Sequence, residues 1–248
     1  MNKRSLTILL LALSLTGLCR QGSAQMLPKD ILTEADKARG NVAGVIWNID
    51  IESVEGGKHL NRSMAIKAKG YNVLAEYTGP KSMKGRKILM IDRNMWFVKP
   101  GLKKPVPLSP RQRLMGQAAN GDIASANYSG DYAASARPDD TINGELCYCL
   151  DLKAVDSKAT YERIVYWISV KRLVGVKAEF YSASGKLMKK AEFTYGNFVT
   201  VNGEVHPFIS EMVITDAIME ENVTTMRYRD VILKEIPAST FNLNLLMM

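Results

Sequence analysis

A chain of 248 residues, 46% hydrophobic and 23% charged, has the composition of a folded globular protein and excludes a disordered or fibrous one. Its net charge of +8 is dispersed among apolar residues, so it reads as a solvated basic face and not as a nucleic-acid surface; weak attraction to anionic lipid stays open. Two histidines, His59 and His206, and three cysteines at no metal-ligand spacing predict no metal site.

Residues 1–24 read as a secretory signal peptide. Lys3 and Arg4 precede an apolar run over 6–18, and Gly22-Ser23-Ala24 supplies small residues for cleavage. Cleavage after Ala24 predicts an exported protein forming one domain over 25–248. Lipid attachment at Cys19 is disfavoured, because Leu18 stands where a small residue is needed. No other apolar run approaches the ~20 residues of a bilayer-crossing helix.

The spacing predicts a helix over 28–39. Pro28 opens it, Asp30, Glu34 and Asp36 favour its positive end, Lys37 and Arg39 its negative end, and Gly40 stops it. Leu27, Ile31, Leu32 and Ala35 give it an apolar face. From Gly44 the period becomes two, with strands predicted around 45–51, 64–68 and 73–77. Two more strands meet at Asp92-Arg93-Asn94, a hairpin signal. Prolines 100, 105, 107 and 110 then hold the chain extended, and Leu114, Met115 and Ile123 follow as isolated apolar anchors. This stretch reads as a flap laid over a sheet. Residues 138–144 read as a connection; strands are expected over 146–155, 161–169, 174–181, 186–196, 206–215 and 224–236. The tail should tuck Phe241 and Leu243 against the sheet. The predicted class is therefore mainly β: one long, strongly curved antiparallel sheet with a few helical pieces on its inner side.

Nucleophile-elbow, phosphate-loop and dinucleotide-binding patterns are absent. The carboxylate pairs Asp139-Asp140 and Glu220-Glu221 read as turn features. Cys147 and Cys149 share a strand face at ~6.5–7 Å, the upper limit for a disulfide, so buried thiols are expected and a cysteine nucleophile is not. No catalytic residue, cofactor or metal is predicted. What stands out is apolar surface. One helix and a flap have to cover the inner face of about ten strands. Thirteen methionines, Met90, Met95, Met115, Met188, Met212 and Met226 among them, read either as core filling or as the lining of an adaptable cavity. A half-covered apolar sheet would bind acyl chains at ~0.8 kcal/mol per buried CH₂.

The run Met95-Trp96-Phe97-Val98-Lys99-Pro100, then Lys103-Lys104-Pro105-Val106-Pro107-Leu108-Ser109 and Leu114-Met115-Gly116 with Gly121-Asp122, resembles the signature of LolA-like outer-membrane lipoprotein-sorting proteins. Cys147-Tyr148-Cys149-Leu150 and the stretch from Tyr161 to Ile168 match in character, so the resemblance spans roughly 42–243. It implies an unclosed β-barrel capped by helices around an apolar cavity. The implied role is carrying lipoprotein acyl chains or phospholipid across the periplasm for outer-membrane sorting. An inner-membrane transporter would be donor and an outer-membrane acceptor the recipient, with the protein a monomer. A non-transporting lipid sensor or transporter-accessory module of the same fold is the alternative. Trp96, Phe97, Leu102, Leu114, Met115 and Ile123 would line the cavity or flap. Lys103, Lys104, Arg111 and Arg113 would meet headgroups or a partner, or are solvated turn charges.

Overall fold

The computed structural model describes residues 26–124, 126–201 and 203–247; the signal peptide expected over 1–24 lies outside the described residues. Helix α1, Pro28–Lys37, leads into the meander β1 Val45–Glu55, β2 Lys58–Lys69, β3 Asn72–Gly79, β4 Lys87–Ile91 and β5 Asn94–Val98. The flap contributes β6 Val106–Leu108, β7 Arg113–Met115, β8 Ala118–Ala119 and a 3-10 turn, Asn120–Ile123. After α2, Tyr128–Asp131, come β9 Tyr132–Ile142, β10 Glu145–Ala154, β11 Arg163–Ser169, β12 Gly175–Tyr181 and β13 Leu187–Thr194. The chain ends with β14 Asn197–Val201, β15 Glu204–Phe208, β16 Glu211–Asp216, β17 Val223–Leu233, a 3-10 turn over Ala238–Phe241 and α3 Leu243–Met247.

Thirteen strands form one antiparallel sheet in the order β6-β5-β4-β3-β2-β1-β17-β16-β13-β12-β11-β10-β9. Its ends, β6 and β9, do not pair, so the sheet curls without closing. Alternation explains which way it curls. On β1, Val45, Trp47, Ile49 and Ile51 are all buried, and Val45, Trp47 and Ile49 register opposite Ala68, Ile66 and Met64. These side chains meet Ile31, Leu32 and Ala35 of α1 in one core on the concave side. The β4–β5 hairpin turns on Asp92 and Arg93, both at positive φ (47° and 68°), the geometry that matches strand twist in a two-residue loop.

The convex side carries two small clusters. Leu74 and Leu89 pack with Ile236 and Phe241, as expected of the tail, and Leu243 joins them. Cys147 and Cys149 are buried free thiols beside Val165 and Trp167.

Four expectations are corrected. Leu27 is 66% exposed, because it is the extended N-cap of α1 and lies off the helical stripe. Asp36 lies near the far end of α1, buried, and not at the positive end. Residues 132–142 form a strand where 138–144 read as a connection. Pro138 is tolerated because β9 is an edge strand and the register shifts between Cys147 and Cys149 opposite it. The strand expected over 206–215 is two, β15 and β16, broken at Ile209-Ser210 so that β14–β15 leaves the main sheet as its own hairpin.

Candidate functional site

The flap reaches the sheet through one close approach. Gly116 has φ 54°, and a Cβ there would lie 2.0 Å from Ser53 Oγ and 2.2 Å from Thr224 Oγ1. Only glycine lets the β7–β8 turn rest on β1 and β17. The Gln117 N–H donates to Thr224 Oγ1 (2.8 Å), whose hydroxyl donates to Ser53 Oγ (3.2 Å). Arg62 Nη1 donates to the Leu114 carbonyl (2.6 Å), and Lys189 Nζ to that of Gln117. Asp122 accepts from the Tyr161 hydroxyl (2.7 and 2.9 Å) and from the Ala119 N–H (2.8 Å). Lys189 stands 3.9 Å from the same carboxylate.

Lys189 shares the inward face of β13 with Ala191 and Phe193, so its charge is buried. Burial pulls its pKa down, and the Asp122 carboxylate opposes that pull. The rings of Tyr161 (4.7 Å) and Phe180 (5.7 Å) lie under the ammonium and offset part of its lost hydration. On α1, burial raises Asp36 to about 6, opposed by the N–H of Ser129, which donates to its Oδ2 at 2.8 Å.

The residues expected to line a cavity fall into separate places. Leu114, Met115 and Ile123 are buried in the main core, and Phe97 packs against it. Trp96 registers with Leu89, which belongs to the convex cluster, so Trp96 faces the opposite side from Phe97. Strand alternation forbids two neighbours from sharing a face. Leu102 is half-buried in the β5–β6 loop, where Lys103 and Lys104 are exposed. Arg111 pairs with Glu162 and donates from Nε to the Ala159 carbonyl (2.9 Å); Arg113 lies 3.4 Å from Glu55.

Beneath the flap, side chains fill the concave face. Tyr132, Tyr128, Tyr166 and Phe193 form a run of edge-on rings with centroids 5.3, 5.4 and 5.9 Å apart, and Tyr161 lies 4.1 Å from Phe180. Met90, Met95, Met115, Met212 and Met226 belong to this core, whereas Met188 is 38% exposed. The larger hollows found among the described residues lie at the surface. One of about 460 Å³ borders the flap between Arg111, Arg113, Gln117, Tyr161, Met188 and Lys189. Another of about 400 Å³ separates α1 from the β14–β15 hairpin.

Sequence reasoning placed Asp36 and Arg39 at helix ends and Asp122 in the flap motif and passed over Lys189; that all four are buried it did not foresee. A signal existed for Lys189, a lysine at the inward parity of an alternating strand. Arg39 gave none beyond its place after a helix.

A solved structure settles the family. The LolA superfamily protein NE2245 from Nitrosomonas europaea is 32% identical, with a TM-score of 0.80 over 89% of this chain and 100% of its own. The chain belongs to the LolA superfamily. A family model described as "Uncharacterized protein" matches residues 70–248. No curated protein matches. A domain from Vibrio parahaemolyticus described as an outer membrane lipoprotein-sorting protein shares the fold at 20% identity and TM-score 0.76, over 89% of this chain and 98% of its own. A DUF1329 family protein from Desulfovibrio piger does so at 18% and 0.73, over 88% and 97%. In this LolA-superfamily chain, then, the large curved sheet that stays unclosed is the fold it shares with these structures. The polar pins under the flap are read from its own residues.

Proposed function

We propose that this LolA-superfamily protein is a periplasmic carrier that takes acyl chains of lipoproteins or phospholipid under its flap and releases them at the outer membrane. The supporting observation is how the flap is held. It rests on an aromatic and aliphatic face, and its attachments to the sheet are polar, two of them made by the buried side chains of Lys189 and Thr224: Arg62 to Leu114, Lys189 to Gln117, and Gln117 to Thr224. Such contacts exchange for water at little net cost, about 1 kcal/mol each. Withdrawing Leu114, Met115 and Ile123 from the core costs about 2–3 kcal/mol each. Together that is roughly 10 kcal/mol. A chain of about sixteen carbons gains roughly 12 kcal/mol at ~0.8 kcal/mol per CH₂. The two nearly balance, as reversible loading requires.

Phe97, Leu114, Met115 and Ile123 would touch the chain. Lys103 and Lys104 would meet an anionic headgroup or an acidic face of the donor or acceptor, with Arg111 and Arg113 along the neighbouring cleft. Trp96 and Leu102 would shape the flap's base from outside. The chemistry is binding and not turnover.

The alternative reading is a sensor or transporter-accessory module that binds lipid under the same flap without passing it on. Lipid extraction of the purified protein with mass spectrometry, followed by transfer to acceptor vesicles, separates the two. Bound lipid that moves to vesicles is expected of the carrier. Bound lipid that stays supports the sensor, and lipid-free protein after exposure to donor membranes overturns both.

A further inference from the structure

The cleft of about 460 Å³ beside the flap has the size of a small-molecule site, and a buried cation forms part of its lining. That cation is Lys189. Among the described residues the Gln117 carbonyl is the one hydrogen-bond acceptor its ammonium reaches, and Asp122 stands 3.9 Å away, an ion pair without a hydrogen bond. An ammonium carries three N–H groups, so two are left to satisfy. Arg113, on the flap's side of the cleft, has a side chain 68% exposed, and its one ion-pair partner among the described residues is Glu55, at 3.4 Å. Arg113 is near enough to disfavour the charge on Lys189, which burial already disfavours. An anion held by both would relieve the repulsion and part of the burial cost.

The carboxylates around the cleft are committed elsewhere. Glu162 pairs with Arg111, and Asp216 accepts from the N–H groups of Ile218 and Met219 (2.8 and 2.9 Å). Glu55 accepts from Gln117 Nε2 (3.0 Å), and Asp122 is held by Tyr161 and Ala119. Much of the remaining lining is apolar, with Ala118, Ala183 and Met188. Next to it the turn from β16 to β17, tied to the Met188 carbonyl by the Ala217 N–H (3.0 Å), exposes Ile218 and Met219. Cations beside exposed apolar side chains suit an anionic group that carries hydrocarbon. A phosphate has oxygens enough to take a guanidinium fork and an ammonium at once.

We propose that Arg113 and Lys189 form a site for one phosphate group, supplied either as free phosphate or as the headgroup of an anionic phospholipid. The headgroup source rests on the carrier reading; the free ion does not.

Calorimetric titration of the protein tests this, with inorganic phosphate and with dihexanoylphosphatidylglycerol below its micelle concentration, chloride holding the ionic strength constant. The expected result is saturable binding that weakens about tenfold in Arg113→Gln, as the loss of one charge-assisted hydrogen bond requires, and vanishes in Lys189→Met. Lys67→Gln, which removes an exposed charge on β2, should bind as the unchanged protein does. Should Lys189→Met not fold, Arg113→Gln against Lys67→Gln carries the comparison. Binding of phosphate alone identifies the free ion, and binding of the lipid identifies the headgroup. No saturation with either probe, an affinity unchanged in Arg113→Gln, or one weakened equally in Lys67→Gln overturns the site. Phosphate binding in a protein that never loads lipid would keep the site and remove the carrier reading. Lipid loading that Arg113→Gln leaves untouched, with no phosphate binding, would do the reverse.

Discussion

Asp36 shows how a single buried carboxylate couples this fold to pH. Burial raises its pKa from 3.8 to about 6, more than the Ser129 N–H lowers it. The folded state therefore holds the proton more tightly than the unfolded state. Its contribution to stability is complete below pH 3.8 and is lost as pH climbs through about 6. Asp36→Asn keeps an oxygen to accept from Ser129 and removes the charge. It should stabilise the protein at pH 7 by up to about 3 kcal/mol and flatten that part of the stability profile. Urea unfolding of both proteins between pH 4 and 7.5 reads the difference; parallel profiles would show that Asp36 ionises freely. Lys189 makes the complementary point. Its neighbours Lys186 and Lys190 look the same in sequence, yet inward parity on β13 sends Lys189 alone of the three into the core. A periodicity reading accepts a lysine as a surface residue, and so it passes over a buried charge that tertiary contacts neutralise.

At the scale of elements, the β4–β5 turn is one of the ties across the opening of the unclosed sheet. Arg93, between β4 and β5, stands 2.9 Å from Asp131 at the end of α2 and 2.9 Å from Asp156 beyond β10. Its side chain is 16% exposed and that of Asp131 19%, so this pair is worth more than a typical surface bridge, whereas Asp156, 46% exposed, adds little. Arg93→Gln should lower Tm by about 2–6 °C and raise amide exchange at the start of β9, leaving β1 and β2 protected. Equal protection in both proteins would mean that other contacts hold the opening. Strands β1 to β3 were legible from their two-residue period and the glycines that end them, and β4 and β5 from short apolar runs meeting at Asp92-Arg93-Asn94. Strand β9 was not, since Pro138 and the pair Asp139-Asp140 carry turn chemistry that an edge strand tolerates. The flap was legible as a flap from its prolines and spaced apolar anchors. The grouping of Trp96 with Phe97 on one lining was not consistent with the strand that contains them, because a motif read as a unit ignores the two-residue period.

For the whole molecule, the carrier reading requires that flap and sheet part. The flap turn lies against β17 where the Gln117 N–H meets Thr224 Oγ1 at 2.8 Å. Cysteines at these two positions, Gln117→Cys and Thr224→Cys, would tie flap to sheet when oxidised and free it when reduced. The deciding measurement is binding of a fluorescent fatty-acyl probe to that one protein in both redox states. Loading after reduction and none while the tether is closed is the predicted result; equal loading in the two states would contradict the account.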